Sequence, residues 1–287
     1  MYDIEQPYGP LVATTLRLIS WNVWGRYGPW AEREQAIGDT LAACDPDIVA
    51  LPEAWATPDD AQVVRLSERL GLPEHTFAAG LDEDGHPVQD GERSDDGVVS
   101  GTGLLSRWPI LRHERQRLGD GGGWDSGSVL FAEIDGPRGP IQVFTAMLAW
   151  RLDHSELRQG QVRDLGAYID RIADRHAPVA LCGDFNTGPD TDEIRMITGR
   201  SAVAAPGLVF YDAWEIAGGP GPGHTWSNAN PWAMPALWPD RRIDYVFSAW
   251  PRRGGVGHPV HCEVIGTKPV HGVVPSDHYG VLADMRY

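Results

Sequence analysis

Polar residues follow a series of short apolar segments along this chain, and this pattern constrains its fold more than any other feature. Six clusters occur in order: Ser20-Trp21-Asn22, Leu51-Pro52-Glu53, Leu181 to Asn186, His224-Thr225-Trp226, Arg242 to Tyr245 and Ser276-Asp277-His278. Apolar segments of this kind are buried, so charged side chains at their ends are costly unless they meet at a shared polar site or an ion. Oxygen donors without cysteine are the ligands that a hard cation such as Mg²⁺ prefers. The pattern therefore predicts a metal-dependent enzyme.

The first two clusters belong to a strand–helix–strand unit. Residues 16–23 and 48–51 have the composition of buried strands, and residues 32–43 between them have helical spacing. Open α/β sheets place their ligands at the carboxyl ends of the strands. Asn22 and Glu53 are predicted to lie just past those ends, so we expect the two side chains to meet.

Strands and helices continue to alternate to the end of the chain. Further strands are predicted at 103–105, 110–118, 129–134, 141–148, 178–182, 243–247, 261–265 and 279–285, and further helices over 58–71, from 155 onward and over 189–197. Residues 204–240 are rich in Gly, Pro and Trp, which is typical of an irregular segment that shapes a substrate mouth. Because the chain has no internal repeat and no linker, residues 1–287 are predicted to form one α/β domain.

Charge and cysteine content narrow the possible partners and the compartment. The chain has 24 Lys and Arg against 40 Asp and Glu, which gives a net charge of −16. A domain that grips a long polyanion normally carries a basic face, so this charge argues against a long nucleic acid and favours a small or less charged substrate.

The three cysteines show no metal or redox spacing. Without a signal peptide or an apolar run of about 18 residues, a cytoplasmic protein with no membrane span is expected. The oligomeric state stays open.

Taken in order, the clusters resemble those of a known family. Ser-Trp-Asn-Val, Leu-Pro-Glu, the segment 101–110 (GTGLLSRWPI), Gly-Asp-Phe-Asn, Arg-Ile-Asp-Tyr and Ser-Asp-His follow the order of the endonuclease/exonuclease/phosphatase superfamily. Each string is weak alone, but six in the right order make a specific match. The resemblance implies a four-layer α/β sandwich, with two mixed β-sheets packed face to face and helices outside. It also implies hydrolysis of a phosphoester assisted by Mg²⁺ or Mn²⁺.

The resemblance also implies roles for individual residues. Glu53 matches the main metal carboxylate of the family, and Asn22 and Asp277 match other positions around the metal. Asp184 and Asn186 match the pair that positions the attacking water and the phosphoryl oxygens, or that holds a second ion in some members.

Asp244 and His278 match a carboxylate–imidazole pair beside the scissile phosphate. An imidazole held by a carboxylate has a fixed tautomer and a raised pKa, so it either takes a proton from water or stabilises the transition state as a cation. Both alternatives stay open. His224 and Trp226 are predicted to contact substrate, with a purely structural hydrogen bond as the alternative.

Two positions depart from the family pattern. Pro52 stands where relatives usually have Gln, and Met147 stands where relatives often have a His that contacts the scissile phosphate or the leaving group. A thioether cannot donate a proton. Together with Trp150, Met147 is expected to form an apolar wall that contacts substrate. His154 replaces the missing His only if its loop folds back, which we do not expect.

The leading hypothesis is a Mg²⁺-dependent hydrolase that cleaves a small or lipid-like phosphoester. The alternative is a metal-dependent enzyme on the same fold that acts on a non-phosphate small molecule, for example in secondary metabolism, since the usual His is Met147. A nuclease ranks lower because of the charge. A non-catalytic binding protein ranks lowest because the whole carboxylate set is retained.

Overall fold

Two six-stranded β-sheets form the framework of the protein. They are seen in a computed structural model that describes residues 10–82, 84, 86–87, 97–119, 121–122, 125–249 and 252–287. The first sheet has the strand order β11-β12-β1-β2-β4-β3, and the second has the order β5-β6-β7-β8-β10-β9. Each sheet is mixed, because β1 pairs with β2 in parallel, β7 pairs with β8 in parallel, and the other pairs are antiparallel.

The elements have the following bounds. The strands are β1 (Thr15–Ser20), β2 (Ile48–Ala56), β3 (Glu74–Ala79), β4 (Val99–Ser106), β5 (Ile110–Leu118), β6 (Gly127–Gly136), β7 (Gly139–Met147), β8 (Val179–Asp184), β9 (Phe210–Asp212), β10 (Asp244–Ala249), β11 (Pro259–Ile265) and β12 (Gly280–Arg286). The helices are α1 (Trp30–Cys44), α2 (Gln62–Leu70), α3 (Ser155–Ile172), α4 (Asp192–Ile197) and α5 (Ala213–Ala217). Among the described residues, no helix is long and apolar enough to cross a membrane.

Three apolar clusters separate four layers. One cluster joins α1 and α2 to the first sheet, a second joins the facing sides of the two sheets, and a third joins the second sheet to α3 and α4. Because each sheet buries one face against the other sheet and one face against helices, most strands read as continuous apolar runs. The predicted four-layer α/β sandwich is confirmed.

The second strand differs from its prediction in a way that matters for the site. β2 does not stop at Leu51 but runs on to Ala56, and its register against β4 shifts between Pro52 and Ala54. Pro52 has no N–H for the ladder, so the strand bulges there, and Glu53 takes a positive φ of 56°. Glu53 therefore projects from a bulge within the strand, not from a loop past its end.

Several other elements differ from their predicted bounds by at most a few residues. The strand over 110–118 and the parallel unit of β1, α1 and β2 are confirmed. Helix α3 begins at Ser155, as predicted, and His154 occupies the cap position without a side-chain hydrogen bond. The short helix α4 begins at Asp192, three residues after the predicted start at Pro189.

Candidate active site

The polar clusters meet at one edge of the sandwich. Asn22 follows β1 and Asp184 ends β8, while Asp244 begins β10 and His278 precedes β12. Because β10 runs antiparallel to β8 and β12 runs antiparallel to β1, the start of one strand lies beside the end of the other. Asp244 is the direct cross-strand partner of Asp184. The topology thus brings residues that are distant in sequence to a single site.

A cavity of about 610 Å³ opens at this edge. Eight of the predicted site residues line it: Glu53, Met147, Trp150, Asp184, Asn186, Trp226, Asp277 and His278. Asn22 and Asp244 lie directly behind this lining and hydrogen-bond to it. His224 lies apart, in an adjacent cavity of about 470 Å³, where its Nδ1 is 3.9 Å from Asp240 Oδ2.

The imidazole of His278 is held between two buried carboxylates. Its Nδ1 lies 2.9 Å from Asp244 Oδ2, and its Nε2 lies 3.8 Å from Asp184 Oδ2. The edge of the Trp226 ring packs against it at a centroid distance of 5.0 Å. Burial lowers the pKa of His278, but the negative charges of Asp244, Asp184 and Asp277 outweigh burial and raise that pKa well above its usual range. The arrangement favours an imidazolium with a fixed orientation.

The loop after β8 is shaped by Asp184 and Asn186. The backbone N–H of Asn186 donates to Asp184 Oδ1 at 2.9 Å, and the Asn186 amide donates to the carbonyl of Leu148 at 3.0 Å. Asn186 adopts a positive φ of 53°, which asparagine tolerates better than most residues. Both side chains are thereby fixed in the cavity wall.

Asn22 acts as a bridge between two carboxylates. Its Nδ2 donates to Glu53 Oε1 at 2.9 Å and to Asp184 Oδ2 at 3.0 Å, while its oxygen accepts from the N–H of Trp24. In this arrangement Asn22 orients the carboxylates and does not offer its own oxygen to a cation. Its role as a direct metal ligand stays a prediction.

Three carboxyl groups of the site carry raised pKa values because they are buried close together. Burial, followed by the charge of Asp277, raises the pKa of Glu53 to about 8. Burial, followed by the charge of Asp244, raises the pKa of Asp184 to about 7. Burial also raises the pKa of Asp277, against the opposing charge of His278. A bound cation would relieve this repulsion.

The donors present fit a hard divalent cation. Atoms of Asp184, Asp244 and His278 all lie within 4.8 Å of one another. An imidazolium has no lone pair for a metal, so the donors of this group are the carboxylate oxygens, and Asp244 Oδ1 is buried without a hydrogen-bond partner among the described residues. Glu53 and Asp277 add two further carboxylates to the same cavity. Mg²⁺ and Mn²⁺ prefer oxygen donors of this kind.

Aromatic side chains flank the carboxylates on two sides. On one side the rings of Trp24 and Tyr27 stack at a centroid distance of 5.7 Å. On the other side the ring centroid of Trp238 lies 5.9 Å from that of Trp150 and 5.5 Å from that of Trp226. The cavity mouth is therefore built from flat apolar surfaces around a charged floor.

Four functional candidates were not predicted from the sequence: Trp24, Tyr27, Trp238 and Arg151 all line the cavity. The abundance of Trp was a signal for an aromatic pocket, but nothing in the sequence separates pocket Trp from core Trp such as Trp55. His154 does not take the place of the missing His, because it lines another cavity and faces Asp125.

This fold and site define a protein of the phosphoesterase type, in which oxygen donors and a carboxylate-held imidazole lie at one edge of two packed sheets. The chain belongs to the endonuclease/exonuclease/phosphatase family, whose family model matches residues 19–278. Members of this family are typically metal-dependent phosphoesterases. No curated protein sequence matches the chain significantly.

Solved structures share the fold at low sequence identity. D. rerio TDP2 in complex with a single-strand DNA product has a TM-score of 0.71 at 23% identity, covering 96% of this chain and 100% of that chain. An endonuclease/exonuclease/phosphatase from Beutenbergia cavernae has a TM-score of 0.69 at 24% identity, covering 95% and 71%. A family protein from Bacteroides thetaiotaomicron has a TM-score of 0.68 at 16% identity, covering 95% and 97%.

These comparisons correct the predicted partner. The net charge of −16 was expected to disfavour a long nucleic acid and to favour a small or lipid-like phosphoester. That prediction is wrong, since a structure with this fold holds single-stranded DNA. Net charge sums over the whole surface, whereas a strand that enters a cavity meets only the groups around its mouth.

Proposed function

We propose that the protein is a Mg²⁺- or Mn²⁺-dependent phosphodiesterase that acts on a short single-stranded stretch of nucleic acid. The observation that carries this proposal is the convergence of Glu53, Asp184, Asp277 and His278 in one cavity with aromatic walls. Stacking on aromatic side chains is how single strands are commonly bound without sequence preference. The single-strand DNA product held by D. rerio TDP2 supports the choice of substrate.

Five polar side chains have a task in this reaction. Glu53 and Asp277 would hold the divalent cation, which, when bound, supplies positive charge to a phosphoryl oxygen. Asp184 orients the attacking water and takes its proton. His278, held by Asp244 at 2.9 Å, places positive charge beside the phosphoryl oxygens as negative charge grows on them.

The acidic surface limits how the strand is bound. Among the described residues that line the cavity, Arg151 is the one basic side chain of the Lys or Arg type. Few phosphates would therefore be neutralised, and the affinity would depend only weakly on salt. Aromatic stacking would supply most of the binding, and it requires unpaired bases, so duplex ends would be poor substrates.

The test compares cleavage of a labelled single-stranded oligonucleotide by the wild type and by Asp184→Asn, in Mn²⁺ and in chelator. We expect cation-dependent cleavage that falls by about 10²- to 10⁴-fold in Asp184→Asn. Asp190→Asn is the matched control, because Asp190 is an exposed carboxylate six residues further along the same loop. If wild type and Asp184→Asn cleave single strands at equal rates in Mn²⁺, the proposal is wrong.

A further inference from the structure

The cavity contains more negative than positive charge, which is unfavourable for the departure of an anionic leaving group. Hydrolysis of a phosphodiester leaves an oxyanion on the departing oxygen, and this oxygen needs a proton or a positive charge nearby. Met147, the direct cross-strand partner of Asp184, forms the wall here and cannot donate a proton. His278 is already placed against Asp244. The remaining cation in the described lining is Arg151.

Arg151 is held in a defined position at the cavity mouth. Its Nε lies 3.3 Å from Asp125 Oδ2, and its guanidinium carbon lies 5.6 Å from the centroid of the Trp150 ring. The side chain of Asp125 is buried, whereas that of Arg151 is 55% exposed. A guanidinium has five N–H donors, so a pair made through Nε leaves others that can reach a ligand.

A buried network fixes the two segments that carry this pair. Gln161 on α3 is fully buried, accepts from the N–H of Ala149 at 2.9 Å and donates to the carbonyl of Asp125 at 2.9 Å. Arg158 on the same helix donates to the carbonyl of Ala149 at 3.1 Å and pairs with buried Glu193. One helix thus ties the Arg151 loop and the Asp125 loop together, which is what a preorganised site requires.

We propose that Arg151 contacts the leaving-group oxygen and stabilises it as an anion, so that the enzyme favours leaving groups of low pKa. This role rests on the proposed phosphodiesterase function. The water oxygen forms a bond to phosphorus and its proton passes to Asp184. The bond from phosphorus to the ester oxygen breaks, and its electron pair stays on that oxygen, whose charge pairs with the guanidinium. Solvent protonates the product after it departs, because a guanidinium does not give up a proton.

The test is a series of aryl phosphodiesters that differ only in the acidity of the leaving phenol, assayed with Mn²⁺. For Arg151→Gln we expect kcat to fall by about 10²- to 10³-fold for the poorest leaving groups and much less for the best. The plot of log kcat against leaving-group pKa therefore becomes steeper. Guanidinium ion added to Arg151→Ala should restore part of the lost rate. Arg163→Gln, at an exposed position of α3, is the control and should match the wild type.

A purely structural or ground-state role gives a different pattern. If Arg151→Gln loses the same factor for every leaving group, or changes only KM, the leaving-group role is wrong. Asp125→Asn should steepen the same plot by a smaller amount, since it loosens the guanidinium without removing it. The proposed phosphodiesterase function fails separately: in that case the wild type and Asp184→Asn hydrolyse the whole series equally.

Discussion

Glu53 reaches the cavity from a bulge in β2. Pro52 interrupts the ladder of β2, and its carbonyl accepts a hydrogen bond from the N–H of Val23 at 3.0 Å. The carbonyl of Glu53 accepts from the N–H of Gly25, also at 3.0 Å. These two hydrogen bonds hold the bulge against the segment that carries Asn22.

The convergence of the polar residues was predictable, but their surroundings were not. Glu53, Asp184 and His278 stand in short strings whose order is specific, so the resemblance located them. Arg151 and Trp238 lie in irregular segments whose paths depend on tertiary contacts such as those of Gln161 and Arg158. No local pattern in the sequence encodes such a path, which is why the cation of the cavity was missed.

Trp150 tests the role of the aromatic wall. Its side chain is 39% exposed and stacks on Trp238, so a base can pack on it at the cavity mouth. Loss of one base–aromatic contact costs about 1–3 kcal/mol, so Trp150→Ala should raise KM for a single-stranded oligonucleotide about 5- to 150-fold. Steady-state kinetics measure this change. Leu152→Ala, an exposed apolar residue of the same loop, should leave KM within about twofold. Equal KM values for both variants would contradict the stacking role.

At the scale of whole elements, most of the longer strands were predicted and the short or interrupted ones were not. β5 has its predicted bounds, whereas β3 and β9 were not predicted. β9 has only three residues, and β3 (EHTFAA) lacks an apolar run, so tertiary pairing decides both. The prediction ended β2 at Leu51, because proline normally ends a strand, whereas the strand continues to Ala56.

Strands β7 and β8 approach each other closely at the residue before Asp184. Gly183 has a φ of 129°, and a Cβ atom there would lie 1.9 Å from the carbonyl oxygen of Ala146. Gly183→Ala should therefore lower the free energy of unfolding by about 2–4 kcal/mol, through backbone strain and overpacking. Urea denaturation measures the loss. Gly160→Ala, in α3 with no atom near its Cβ position, should instead stabilise by up to about 1 kcal/mol. If Gly183→Ala lowered the free energy of unfolding by less than an ordinary surface substitution does, the close approach of the two strands would be contradicted.

At the scale of the whole molecule, the fold was predictable because six ordered strings spaced over most of the chain constrain one topology. The partner was not, because the net charge of −16 describes the average surface. Much of the negative charge near the site belongs to Glu53, Asp184 and Asp277, and a bound cation would neutralise part of it.

The metal-free protein should lose stability as the pH rises. The pKa of Glu53 rises from 4.5 to about 8 on folding, and that of Asp184 rises from 3.8 to about 7. The folded state thus keeps protons that the unfolded state has released, so unfolding releases protons and the free energy of unfolding falls between about pH 5 and pH 8. Thermal unfolding in chelator across this range measures the trend. In the double variant Glu53→Gln/Asp184→Asn the trend should be much weaker.

Addition of Mg²⁺ or Mn²⁺ should reverse this loss, because the cation takes the place of the protons among the carboxylates. An ion that binds only the folded state at about 100 times its dissociation constant adds about 2.7 kcal/mol to the free energy of unfolding. The melting temperature should therefore rise with cation concentration, and more at about pH 8 than at about pH 5, where protons compete for the same oxygens. The double variant should show no such rise. A wild-type melting temperature that is independent of the cation at both pH values would mean that these carboxylates do not form a metal site.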